Sequence, residues 1–294
     1  MHSLSQLLLL SLMGLLLSPL SNSTEAKGPA FSSVPELEEG YHLLYEQKFP
    51  EAREIFQKWA EQNPTEPFGQ VSIAASYLFQ EFFIQRVLTS DYFLNDKRFL
   101  GGITGIPDPG RIKAFQEAVA RARALSSQRL KARARDPEAL YALTLCAGMQ
   151  SDADSMLLKK HYDGLKHMKE ANSNAELLLR EHPEAYDVYV APGIAYYVIG
   201  SLSSSARFVL WFGGVHGDKQ LGMAQVQKTA ENGHYLKPFA KILLALSARR
   251  EKQNALAQKN LKELTEEFPG NAVYDTEYAK SLGQPIPATM GPAN

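Results

Sequence analysis

A single cysteine, Cys146, stands in a chain of 294 residues, so no intramolecular disulfide can form and the fold must rest on packing alone. An excess of either charge is missing as well. With 31 Lys and Arg against 32 Asp and Glu, the net charge of −1 excludes the basic surplus of a dedicated nucleic-acid binder. Alternating β-branched runs are scarce, which argues against a sheet. Catalytic signatures are missing too: no G-x-S-x-G elbow, H-E-x-x-H zinc helix or P-loop occurs, and Cys146, between Leu145 and Ala147, has the setting of a small core residue.

What is present begins with an apolar run, Leu7 to Leu10, Leu12, Met13 and Leu15 to Leu17, too short for a stable membrane anchor. It predicts a signal peptide over residues 1–26, with a cleavage site at Thr24-Glu25-Ala26 and export to the periplasm or beyond, although no Lys or Arg precedes the run. The remainder, 45% apolar and 21% charged over the whole chain, has ordinary globular composition. Residues 34–282 read as one helical array, and 283–294, with Pro285, Pro287 and Pro292, as a disordered tail.

Proline and glycine fall after long helical stretches, so repeats are the first thing to seek. Residues 36–64 divide into two helices at Gln47 to Pro50, and Ala52, Ile55, Phe56, Trp59 and Ala60 share one face of the second. Gly40, Ala52, Phe56 and Pro64 then occupy small, small, aromatic and closing-proline positions. A second unit, 238–269, repeats the scheme with Ala245, Ala257 and Pro269, while Phe239, Ile242, Leu243 and Leu246 line one helix and Leu261, Leu264 and Phe268 the next. Pro137 and Pro183 are expected to close helices between these ends, residues 95–110 to form an excursion, and Asp218 to Asn232 an extra helix.

These two units resemble the tetratricopeptide repeat. The resemblance implies an all-α superhelix, a right-handed stack of antiparallel helix pairs in degenerate form, that binds partners on its concave face. The spacing Gly214-x-x-Gly217-Asp218-Lys219-x-x-Gly222 is also similar to a stretch in a tetratricopeptide-like family of mitochondrial outer-membrane proteins linked to lipid droplets, which implies a shared fold and no shared activity.

Aromatic residues concentrate between Tyr186 and Phe212, and Tyr189, Tyr196, Tyr197, Trp211 and Phe212 are candidate anchors for a partner peptide or a small apolar ligand, with Arg207 to orient an acidic headgroup. Such a stripe is first of all what a buried repeat core looks like, and a pocket or groove is the second reading. Gly214 and Gly217 break the preceding helix and Asp218 can cap the next, a structural turn whose free N–H groups could also meet an anion. Asp152, Asp154, His161 and Asp163 carry metal-ligating atoms, but the two aspartates face different sides of a helix, and no metal or other cofactor is expected. Eight basic residues crowd Arg111 to Arg135 without forming one stripe. They suit a solvated helix or peripheral contact with an anionic membrane, and Arg129, projecting into the apolar face, must find a carboxylate.

The sequence thus favours a non-catalytic scaffold for a protein or peptide partner in the cell envelope. Its alternative is a periplasmic apolar-ligand-binding accessory of a transport system, and a third reading is an enzyme using His216 and Asp218. Geometry separates the first two: an open groove suits the scaffold and a closed aromatic cavity suits the ligand carrier.

Overall fold

Proline in the first turn starts six of the helices, where its missing N–H is harmless and its fixed φ suits the helix. The computed structural model describes residues 28–205, 207, 208 and 216–285. Among them there are 13 α-helices and no strand, and none of the helices is long and apolar enough to cross a membrane. In chain order they are α1 (Pro35–Tyr45), α2 (Phe49–Gln62), α3 (Pro67–Ile84), α4 (Ser90–Phe93), α5 (Asp96–Gly101), α6 (Pro109–Ala132) and α7 (Pro137–Asp152). There follow α8 (His161–Glu181), α9 (Val190–Ser201), α10 (Lys219–Asn232), α11 (Lys237–Arg250), α12 (Asn254–Glu267) and α13 (Ala272–Leu282). The segments expected to be a signal peptide and most of the tail lie outside the described residues.

Each helix packs on its neighbour in the chain, with α3 meeting α6 across the short α4 and α5. The first unit is built as its residue types require. Gly40 lies directly against the Phe56 ring, where a Cβ would overlap it, and Ala52 and Phe56 are fully buried. In the last unit Ala245, Ala257, Leu261 and Leu264 are likewise fully buried. Burial of Leu- and Phe-sized groups at about 2 kcal/mol each is what offsets the ordering of so many helices without a disulfide.

The helices differ in how much of their surface they bury. α2, α8 and α12 bury one stripe and expose the other, whereas α3 and α11 are buried along nearly their whole circumference. α1, α3, α7, α9 and α11, with one stripe of α8, line the molecule's interior. The stack does not stay open. Its first and last units meet, through Asn271 Nδ2 donating to the Tyr45 carbonyl (2.8 Å), Gln47 Nε2 to Asn271 Oδ1 (2.5 Å) and the Tyr45 hydroxyl to the Tyr235 carbonyl (2.9 Å). The rings of Tyr41 and Tyr235 lie 4.9 Å apart in the same seam.

Pro137 opens α7 instead of closing a helix. Asp136 caps that start by accepting from Ala139 N (2.9 Å), so the chain ends α6 at Ala132 and restarts within four residues. Residues 95–110 are an ordered excursion with the helix α5 inside it, pinned by Ile103 N donating to the Met156 carbonyl (2.9 Å). Arg129 finds its carboxylates in Asp136 (2.9 Å) and Glu66 (2.8 Å). Cys146 is fully buried, and burial pushes its thiol up to about 12.

Candidate ligand cavity

Three apolar cavities lie inside the curled stack and share walls. The first, about 60 Å³, is lined from α3 by Val71, Ala75, Leu78, Phe79 and Phe82, from α8 by Met168 and Ala171, and from α7, α9 and α11 by residues treated below. The second, about 280 Å³, lies between α1, α3, α11 and α13 and reaches the surface at Phe83 and Ile84, both exposed. The third, about 40 Å³, is bounded by Phe93, Phe99, Met156, Met223 and Leu243. Phe82 lines all three, Phe79 the first two, and Phe239 the first and third.

The wall contributed by α7 follows from helical spacing. Thr144, Gly148 and Asp152 stand at i, i+4 and i+8, so they form one row, and all three line the first cavity. Thr144 is spent on its own helix, its hydroxyl donating to the Leu140 carbonyl (2.8 Å). Gly148 contributes only space: a Cβ built there would meet no atom within 4 Å. Glycine inside a helix costs about 0.5–1 kcal/mol relative to alanine. No close approach of another element demands it at this position.

Asp152 ends α7 where the chain widens into a π turn, Ala153–Leu157. Asp152 is half-buried, no described residue hydrogen-bonds to or pairs with its carboxyl, and it lines the first and third cavities. Burial alone raises it to about 7, because no nearby charge offsets the loss of water. Tyr92, close enough for the two charges to interact, is also buried with an unpartnered hydroxyl, and burial followed by the Asp152 charge raises it.

Asp187, in the same interior, shows what a satisfied carboxylate looks like. It accepts from the Tyr141 hydroxyl (2.8 Å) and from the backbone N–H groups of His234 (2.7 Å), Tyr235 (2.9 Å) and Leu236 (3.2 Å). Desolvation still raises its carboxyl, against the pull of those bonds. Asp187 thereby fixes the turn before α11 and has no capacity left for a ligand.

Of the aromatic residues singled out from sequence, Tyr197 reaches a cavity. It lines the third, with its hydroxyl donating to Glu251 Oε1 (3.1 Å) and its ring edge-on to Phe99. Tyr189 is half-buried away from it, stacked on Tyr186, bonded to the Pro183 carbonyl (3.3 Å) and covered by Lys228 at 4.3 Å. Tyr196 is half-buried and its carbonyl accepts from Asp218 N (3.0 Å). Arg207 is exposed and donates to Ser204 Oγ (3.3 Å). Trp211, Phe212 and Gly214 lie outside the described residues.

The turn at Gly217 and Asp218 is structural. Asp218 Oδ1 accepts from Gln220 N (2.9 Å) and Leu221 N (3.0 Å), and Gly193, Gly200, Gly217 and Gly222 let α9 and α10 approach backbone to backbone. A Cβ at Gly222 would sit 2.6 Å from Tyr197 N and 2.7 Å from the Gly193 carbonyl oxygen. Asp154 pairs with His167 (2.9 Å) and so points away from the row of Asp152. Among the described residues no three metal-ligating side chains converge. No family model, curated protein or solved structure matches the chain.

Proposed function

We propose that this protein is a non-catalytic binding protein that holds one small apolar molecule inside its curled helical stack, with the tail of that molecule in the cavity that opens at Phe83 and Ile84. The reading rests on Gly148: a residue that weakens its own helix, packs against nothing, and leaves open the space beside Asp152. Contact between the first and last units supports a closed interior over a concave groove, which favours a ligand carrier over a peptide scaffold. The tetratricopeptide kinship and an exported setting belong to the same proposal, carried by the residues at Gly40, Ala52, Phe56 and Pro64 and by the leucine run that precedes the described chain.

The histidines support binding over acid–base chemistry. His42, His167, His182 and His234 each pair with one carboxylate, of Glu46, Asp154, Glu184 and Glu38, and none of the four lines the three cavities.

Calorimetric titration with 1-decanol tests the reading. The wild-type chain is expected to bind one molecule, and Gly148→Leu, whose Cβ enters open space, to weaken binding at least tenfold while unfolding no more readily. No binding by the wild type, or equal binding by the variant, would overturn it.

A further inference from the structure

One half-buried carboxyl breaks the apolar lining of the interior. Asp152 lines the first and third cavities with no partner among the described residues. A carboxyl that lines an apolar cavity and has no partner in the protein is left for another molecule to satisfy. An ionised carboxylate can only accept, which specifies a donor as its missing partner. Phe82 and Phe239 line both cavities onto which Asp152 opens, Tyr197 lines the third, and aromatic faces attract cations. No lysine or arginine lines either cavity, so a positive charge delivered there is not already supplied by the protein.

We propose that Asp152 is the recognition residue for the polar end of the ligand, and that this end is a protonated amine on an otherwise apolar chain. This rests on the interior being a ligand cavity. The space agrees with the assignment: about 60 Å³ beside Asp152 accommodates roughly four to six water-sized groups. That suits an ammonium and its first methylenes. The larger cavity of about 280 Å³, which shares Phe79 and Phe82 with the first, takes the remaining chain. An ammonium entering the first cavity would donate to Asp152 and stand among aromatic rings.

The test is a calorimetric comparison of n-decylamine, 1-decanol and decanoate at pH 8, below their micellar concentrations, with the full chain and with Asp152→Asn. The wild type is expected to bind the amine at least tenfold tighter than the alcohol and to bind decanoate weakest. Asp152→Asn should abolish the amine's preference over the alcohol. Equal affinities for amine and alcohol in the wild type would overturn the proposal while leaving the cavity reading intact, and that comparison needs no variant. A preference that survives in Asp152→Asn would overturn it equally. Failure of all three probes to bind would remove the cavity reading itself.

Discussion

Replacing Asp152 by asparagine changes how the protein's stability responds to pH, and both the sign and the size follow from burial. In the unfolded chain the carboxyl titrates near 3.8; in the fold desolvation carries it to about 7. Between those values the folded chain holds a proton that the unfolded chain has released. Stability is therefore fully present below pH 4 and falls as pH rises through the window from about 4 to 7. A tenfold change in proton affinity corresponds to about 1.4 kcal/mol, so the loss attributable to Asp152 is at most about 4 kcal/mol, less where water enters the cavity. Glu138, raised by desolvation to about 7, has the same slope, so the wild type alone does not isolate one residue. The difference between wild type and Asp152→Asn does, because the amide carries no titrating proton. Urea unfolding followed by circular dichroism at half-unit steps from pH 4 to 8 should show the variant gaining on the wild type across this window and exceeding it at pH 8. Parallel curves would mean that Asp152 is solvated or partnered in solution and would refute the reasoning.

Gly222→Ala should cost about 1–3 kcal/mol in chemical unfolding, because its Cβ meets backbone of α9, which cannot swing aside as a side chain would. Asp187→Ala should cost at least about 3 kcal/mol, since three backbone N–H groups and the Tyr141 hydroxyl lose their acceptor together. Asn271→Ala should raise hydrogen exchange in α1 and α13 at the same time, as both ends of the stack lose their shared bonds; exchange confined to α13 would contradict the closure. Cys146 should resist Ellman's reagent at pH 8 until the protein unfolds, because its thiol is buried and protonated.

The all-α fold was legible because helical periodicity and small-residue positions are local: Gly40 against Phe56 and the burial of Ala257, Leu261 and Leu264 follow from spacing alone. Pro137 was misread since proline is as suited to the first turn of a helix as to the stretch beyond one, and only Asp136 before it signals the former. The site was much less legible. Aromatic density pointed to Tyr189 and Tyr196, but density does not say which face of a helix turns inward, and among the described candidates only Tyr197 lines one of the three cavities. Phe79, Phe82 and Phe239 come from helices buried nearly all round, whose sequences carry no amphipathic stripe to mark the side facing a void. Closure between Tyr45, Tyr235 and Asn271 joins residues about two hundred positions apart and has no local signature. One signal was available and unused: Thr144, Gly148 and Asp152 at four-residue intervals place a glycine and an acid on one face of an apolar helix.

Native mass spectrometry of the chain purified from its own host, before and after incubation with 1-decanol, tests most directly whether the interior holds a ligand. One apolar molecule per chain, either carried through purification or taken up from decanol and absent from Gly148→Leu, is the expected result. A bare chain that takes up no decanol would contradict it.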